Sequence, residues 1–580
     1  MLIENVLTDT YSGTTHSSEK SLRADIQTVR KRFFTRGIRF LTEELPSFWK
    51  SVLSGLESGT YVRPIGWKSA SKSSVLPAFM QGVLKLIFRD DGSLDPGADP
   101  YAIQEVAQVC LLLYKLELQS SIEKEEAVLA QFIETEHELT CLSLEEDSAL
   151  RGARYMLGAL FRRFNPLDIV PRHGPGSVAT GEVANQKYVF RRKFDSIHSV
   201  FPYYTYFTAG QGREIADRIR WYKDLIREPY GTTKIVLVPK DSRGPRLISS
   251  EPLEFQWIQG GLGDSIVKHV ESHPLTRGRV NFTDQTINQK LALSSSVTRA
   301  YATIDLKEAS DRVSVDLVRS IFPEKVYRAL MAARSDATRI NGVELGLTKY
   351  APMGSALCFP VLALTVWALA SSVVRQCSNK KGFVYVYGDD LIVPNDCYEA
   401  IVDAFPKYGL AVNANKSFSK SFFRESCGMD AFKGIQVTPI KVKKVWTVNP
   451  KNGSQYAAYI SYLNAFFKRG YWNTFAYVKK QIEAVYGPIP YGTSQAPYPC
   501  LVIDDSSKLT ELNSSARLRW NNRYHRVEIK VWYPRSREIN SPIDGWNRLL
   551  KDYSLSNPLN PDLVAVPRTV TNKFGWKPIG

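Results

Sequence analysis

Histidine and cysteine are both scarce in this chain, at seven residues each among 580. The cysteines are odd in number, widely spaced and free of any Cys-x-x-Cys pair. That excludes a disulfide framework and a zinc ribbon, and it fits a reducing compartment. Residues 1–20 lack an apolar core, so no secretory signal is expected there. Long hydrophobic runs are nearly absent as well. The longest, Ala356 to Val374, is interrupted early by Pro360 and followed by the basic segment from Arg375 to Lys381. It is expected to be a buried helix, with a membrane span as the lesser alternative. Internal repeats and long low-complexity tracts are missing.

Acidic residues are outnumbered. The chain has 75 Lys and Arg against 58 Asp and Glu, a formal charge of +17. Such an excess suits a polyanion, because each phosphate neutralised releases condensed counterions. An anionic membrane surface would satisfy the same charge. With 44% hydrophobic and 12% aromatic residues, the chain has ample material for a large folded core.

What is present is organised around Phe383 to Val393, in which two runs of β-branched and aromatic residues flank Gly388-Asp389. This predicts a tight β-hairpin with Asp389 and Asp390 at its tip. Adjacent side chains of a strand point to opposite faces, so one carboxylate would face a cleft and the other support it. Gly-Asp also occurs at turns for backbone reasons alone. A partner carboxylate tips the balance. Ala302 to Asp305 reads as a strand ending in Asp305, followed by a loop with Asp311 and a helix from Val313. Two carboxylates from separate strands can bridge two Mg²⁺ ions about 3.5 to 4 Å apart, the arrangement used for in-line phosphoryl transfer. Mg²⁺ takes oxygen ligands and keeps its waters, so the shortage of His and Cys is no obstacle.

Other stretches carry weaker signals. The first 150 residues are expected to be mainly helical, with Glu123 to Glu126 as a solvated face. Arg172-His173-Gly174-Pro175-Gly176 reads as a turn, with a phosphate or template contact by Arg172 or His173 as the sharper alternative. Basic and aromatic residues interleave from Phe190 to Tyr204, as in a strand-binding groove or as surface charge over core aromatics. Lys234 to Ile248 predicts a hairpin whose turn bears Lys240, Arg243 and Arg246, placed to converge on a triphosphate. Asn281 to Gln289 is rich in amides and hydroxyls suited to base or sugar contacts. Ser355, before the long apolar helix, is either a helix cap or a ribose contact. Lys416 sits in a polar loop. Near the C-terminus, Arg517, Arg519, Arg523, Arg526, Lys530, Arg535 and Arg537 interleave with Trp520, Tyr524 and Trp532. RNA contact is the favoured reading there, against a plain solvated surface.

The order of these motifs, from about Arg172 to Lys441, resembles the RNA-directed RNA polymerases of single-stranded RNA bacteriophages, the levivirus replicase β subunits. The elements are a basic hairpin, an Asp strand, Met353-Gly354-Ser355 with its helix, Tyr387-Gly388-Asp389-Asp390, a Lys416 loop and Phe423-Arg424-Glu425-Ser426-Cys427-Gly428. The resemblance implies an α+β right-hand fold of fingers, palm and thumb, with the palm on an antiparallel sheet. The corresponding divisions are an N-terminal helical region and fingers extension at 1–150, fingers at 151–299, palm at 300–445, and thumb with a basic C-terminal region at 446–580. It also implies Asp305, Asp389 and Asp390 as metal-site carboxylates for two Mg²⁺ ions, and Lys240, Arg243 and Arg246 as triphosphate ligands. Lys416 matches the position of a proton donor to pyrophosphate. Where many relatives place a ribose-sensing Asp five residues after the metal Asp, this chain has Ser310, with Asp311 next. The Asn expected after Ser355 is missing. Ribose recognition therefore falls to Ser310, Asp311 and Ser355.

The implied function is RNA-directed RNA synthesis on a single-stranded template, with ribonucleoside triphosphates as substrates, in the cytoplasm of a bacterial host and without a membrane. Phage relatives work with host elongation factors Tu and Ts and a small-subunit ribosomal protein. A reverse transcriptase is disfavoured by the small Ser310, and a non-catalytic RNA-binding or packaging protein remains the alternative from another class.

Overall fold

The computed structural model describes all residues except 14–17, 209–214, 378–381, 537–544, 555–569 and 580. Arg537 and the end of the basic segment after the apolar helix lie outside the described residues. The chain mixes helix and strand, with its longest helices packed around several small sheets.

The elements that position the site are few. In the N-terminal region they are helices α1 (Pro100–Leu111), α2 (Ile122–Thr140) and α3 (Ser148–Leu160). Then come β1 (Thr232–Asp241), β2 (Gly244–Ser250), α4 (Leu253–Ser272) and α5 (Thr286–Thr298). The centre holds β3 (Tyr301–Ile304), β4 (Leu306–Lys307), β5 (Ala337–Ile340), β6 (Val343–Gly346) and α6 (Cys358–Cys377). It continues with β7 (Tyr385–Tyr387), β8 (Asp390–Pro394), β9 (Ala411–Val412), β10 (Phe423–Ser426), β11 (Met429–Phe432) and β12 (Ile435–Gln436). The last part comprises α7 (Gly453–Arg469), α8 (Trp472–Tyr486), β13 (Leu518–Asn521), β14 (Arg526–Ser536) and β15 (Val570–Pro578).

The mainly helical start is as expected: α1 is capped by Asp99, whose carboxylate accepts from the Tyr101 amide, and it buries Ile103, Val106, Val109 and Cys110. The central sheet is antiparallel in the order β3-β8-β7, with Leu391 opposite Ile304 and Asp390 opposite Tyr387. One core cluster runs from this sheet through α3, α4 and α6. The apolar run is the core helix α6. Among the described residues it is the one helix long and apolar enough to cross a membrane, and most of it is buried inside the protein. Gly152 on α3 permits that burial, since a β-carbon there would stand 1.9 Å from Ser372 Oγ on α6.

The basic hairpin forms as the sequence predicts. β1 and β2 pair antiparallel, and β5 joins β1 in parallel, giving the order β2-β1-β5-β6. Beyond the central sheet, β10, β11 and β12 form a meander. The aromatic region after it splits at Gly470, a left-handed residue (φ 73°), into α7 and α8.

Candidate active site

The acidic centre begins with backbone chemistry. Gly388 and Asp389 make the two-residue turn between β7 and β8, and Gly388 adopts φ 65°. A β-carbon there would also stand 2.1 Å from the Phe359 ring. Two constraints thus require glycine, one conformational and one steric. Phe359 belongs to the first turn of α6 and packs edge-on against Tyr387, so the apolar helix sets the height of the hairpin tip. Asp389 is exposed at that tip, whereas Asp390 is half-buried at the start of β8.

Asp305 follows β3 directly, and continuing the antiparallel register from Leu391 and Ile304 sets it opposite Asp390. The Lys416 loop is stitched to it. Asn413 donates from its backbone to the Asp305 carbonyl at 2.9 Å and from its side chain to Asp305 Oδ2 at 2.7 Å. The Asp305 amide donates to Ser417 Oγ, and Lys416 Nζ stands 3.8 Å from Asp305 Oδ2.

Burial pushes the Asp305 carboxyl up to about 6; Lys416 and Asn413 oppose this, while Glu425 and Asp389 add to it. Asp390 is pushed up to about 7 by burial first, then by Asp389, Glu425 and Asp305. Carboxylates that resist ionisation through burial and mutual repulsion are those a hard cation would relieve, so the donor set fits Mg²⁺. Among the described residues, no three His, Cys, Asp or Glu side chains stand together as a closed ligand set. Asp305 is instead engaged by Asn413 and Lys416.

Two carboxylates escape notice in the sequence. Glu425 on β10 and Asp430 on β11 are cross-strand partners, and Glu425 raises the carboxyl groups of both Asp305 and Asp390. Asp430 is buried and pushed up to about 7, by burial and then by Glu425. Glu425 is also the largest influence holding the Lys416 ammonium above its ordinary range. No alternation marked Glu425 in the sequence, because Phe423, Arg424 and Ser426 are all buried although they lie on both faces of β10.

The Phe-Arg-Glu-Ser-Cys-Gly stretch supports the site from behind. Arg424 is fully buried and donates to the carbonyls of Tyr301, Ser419, Ser421 and Phe423, tying β10 to β3. Cys427, left-handed at φ 50°, directs its amide to Asp390 Oδ2 at 3.1 Å. Within the Asn281 to Gln289 stretch, two amides are internal: Asn288 donates to the Asp390 carbonyl and Gln289 to the Cys427 carbonyl. These two brace the hairpin, while Thr283 to Thr286 are exposed.

Lys240 and Arg246 project from the basic hairpin, exposed and without an ion-pair partner among the described residues. Desolvation of the Lys240 ammonium lowers its affinity for a proton, and Arg246, Arg243 and Lys416 lower it further, against Asp241. Lys416 therefore lies within electrostatic reach of the basic hairpin. Arg243 differs. Its guanidinium is held by Asp241 at 2.8 and 3.0 Å and lies 4.9 Å from the Tyr114 ring centroid.

Ser355 is buried, and its Oγ accepts from the Leu357 amide, as a helix cap does. Ser310 lies near the Cys358 thiol. Asp311 stands 3.9 Å from the buried Lys349 ammonium, which Glu136 also pairs at 3.4 Å. Burial is the main influence raising the Asp311 carboxyl.

Two sharper sequence readings give way. His173 is packed among Tyr188, Phe190 and Trp257, and burial lowers it to about 3, so it is a neutral core residue; Arg172 pairs with Asp264. Of the aromatics between Phe190 and Tyr204, Phe190, Phe194, Phe201 and Tyr203 are core, and Tyr204 is exposed. These rings were spaced for burial, not for stacking bases.

Fold and site define a class: a basic, mixed α and β protein in which an acidic hairpin, an acidic strand end and a basic hairpin gather around one centre. Comparison with known proteins shows what the chain is similar to: residues 181–451 match the family described as RNA replicase, beta-chain. The resemblance read from the motifs therefore holds across the whole acidic centre. The chain is 34% identical over 214 residues to the RNA-directed RNA polymerase beta chain of Enterobacteria phage fr, covering 37% of this chain and 38% of that one. It is 32% identical over 231 residues to the RNA-directed RNA polymerase beta chain of Escherichia phage MS2, covering 39% and 41%. Against the RNA-directed RNA polymerase subunit beta of Escherichia virus Qbeta it is 35% identical over 211 residues, covering 36% and 35%. The matched stretch spans less than half the length of each relative.

Proposed function

We propose that this chain is an RNA-directed RNA polymerase that copies a single-stranded RNA phage genome. The observation that carries the reading is the placement of Asp305 opposite Asp390, with Asp389 at the hairpin tip, inside the segment that matches the replicase beta-chain family. In this reading the central sheet is the palm, within 300–445. Residues 151–299 are the fingers, 446–580 the thumb and basic C-terminal region, and 1–150 a helical extension of the fingers.

Asp305 and Asp389 would hold two Mg²⁺ ions, with Asp390 as the supporting carboxylate. Bound there, the ions would activate the 3′ hydroxyl of the growing strand and offset charge on the departing pyrophosphate. The chain's own residues do the rest. Lys240 and Arg246 bind the triphosphate with their unpaired charges, and Arg243, fixed by Asp241, orients it. Lys416, protonated on Nζ and held beside Glu425 and Asp305, is the side chain that would pass a proton to the departing pyrophosphate. Ser310, Asp311 and Ser355 form the ribose side of the pocket. The partners are template and nascent RNA and ribonucleoside triphosphates, with host elongation factors Tu and Ts and a small-subunit ribosomal protein as further subunits, in the bacterial cytoplasm.

A non-catalytic RNA-binding or packaging role would use the basic charge alone and leaves the acidic centre without a purpose. The test is incorporation of labelled ribonucleotides on a single-stranded RNA template with Mg²⁺, wild type against Asp389→Asn. Template-dependent product from the wild type alone supports the polymerase. Equal label from both removes Asp389 from the mechanism, and RNA binding without product from either chain, host factors supplied, favours the packaging role.

A further inference from the structure

The family match ends at residue 451, and the three-stranded antiparallel sheet β13-β14-β15 lies beyond it. Successive residues of β14 face opposite sides of the sheet. Ile529 and Val531 point inward onto Tyr498 and Cys500, so Glu528, Lys530 and Trp532 belong to the opposite face. The register sets Arg519 against Glu528, Trp576 against Lys530, and Phe574 against Trp532. At its inner end Trp532 donates to the Tyr486 carbonyl, which docks this face on α8.

The outer part of the face is built rather than incidental. Glu528, nearly inaccessible, accepts from Arg519 at 2.7 and 3.0 Å, from Arg526 at 3.0 and 3.2 Å, and from Asn521 at 2.9 Å. One carboxylate thereby orients two guanidinium groups and leaves a net positive charge. Arg519 lies 4.4 Å from the Trp576 ring centroid and Arg526 4.8 Å from that of Tyr524. The Lys530 ammonium stands 5.3 Å from Phe574 and has no carboxylate partner among the described residues. Phe574 and Tyr524 remain 44% and 56% exposed, each beside one of these cations.

We propose that this face binds single-stranded RNA, with bases stacking on Phe574 and Tyr524 and phosphates held by Lys530, Arg519 and Arg526. Exposed rings interleaved with oriented cations match the two demands of an unpaired strand, stacking and backbone neutralisation. A duplex would offer the cations phosphates but the rings no open bases. The proposal rests on the chain acting on RNA, yet it concerns a site separate from the acidic centre.

The test uses the full chain carrying Asp389→Asn, so that no RNA is extended, and a fluorescent single-stranded RNA of mixed sequence. Affinity is measured by anisotropy at several salt concentrations. Removing both rings (Tyr524→Ala with Phe574→Ala) is expected to weaken binding about tenfold or more. Lys530→Ala should flatten the slope of log affinity against log salt by about 0.7. Lys577→Ala, on the other face over Tyr533, should change neither. Ultraviolet crosslinking of the otherwise unaltered chain should place RNA on the peptides containing Tyr524 and Phe574, a readout independent of whether the variants fold. Affinities within twofold of the parent, crosslinks confined to other peptides, or equal competition by duplex RNA would overturn the proposal. Because incorporation by the wild type is scored separately, loss of polymerase activity and loss of this site are distinguishable.

Discussion

Asn413 holds Asp305 at two points, its backbone amide on the carbonyl and its side-chain amide on Oδ2 at 2.7 Å. The loop that carries Lys416 is thereby fastened to the acidic strand end. Replacing Asn413 with Ala removes the side-chain donor and leaves the backbone bond. Asp305 should become harder to ionise, and nucleotide incorporation should fall about tenfold or more at pH 7 and recover in part at pH 8. RNA affinity, measured in parallel, should stay within about twofold.

Gly388→Ala would force a β-carbon into a left-handed turn and against the Phe359 ring. The conformation alone costs about 1–2 kcal/mol. Thermal unfolding should shift downward and incorporation should be lost. Adding Phe359→Ala should recover part of the stability, because the steric share of the cost disappears while the conformational share remains.

Within the basic hairpin the three cations should not be equivalent. Lys240→Ala and Arg246→Ala remove unpaired charges and should raise the nucleotide KM severalfold or more. Arg243→Ala removes a group already neutralised by Asp241 and stacked near Tyr114, so its larger effect should be on stability. Steady-state kinetics beside thermal melts separates the two patterns.

Arg424→Met should be among the most damaging single changes outside the acidic centre. Four carbonyls lose their donor inside the protein, at a cost of roughly 3 kcal/mol or more. Denaturant unfolding and soluble yield would reveal it; a melt equal to wild type would show that β10 is held by other means.

Glu254 supplies a pH test away from the acidic centre. It is fully buried, and burial pushes its carboxyl up to about 7. Between its unfolded value near 4.5 and about 7, the unfolded chain holds fewer protons than the folded one. This group's contribution to stability therefore falls as pH rises through that window. Glu254→Gln should remove the dependence, so the variant gains on the wild type from pH 5 to pH 8, by on the order of 3 kcal/mol at most. Urea unfolding at both values checks the sign.

The sequence by itself determined what local chemistry can specify. A Gly-Asp turn between β-branched runs could hardly be other than the β7-β8 hairpin, and the same holds for the basic hairpin and the helix α6. The order of the motifs carries the resemblance to the replicase beta chains without any coordinate, and the match over residues 181–451 agrees with it. Side-chain roles in the loops were another matter. The amides of Asn288 and Gln289 look like ligand contacts in one dimension but brace Asp390 and Cys427, because the partner of a polar group is set by which strand lies above it. His173 lay beside a Gly-Pro turn, and only the closing of α4 behind it, through Trp257, made it core. Glu425 came to act on Asp305, with Asp430 behind it, only when β10 and β11 were laid against the central sheet. Hairpins form from contacts a few residues apart, so sequence encodes them directly; the acidic centre joins Asp305 to Asp389, Asp390 and Glu425, which are 84 to 120 positions further along, and tertiary packing alone brought them within electrostatic reach.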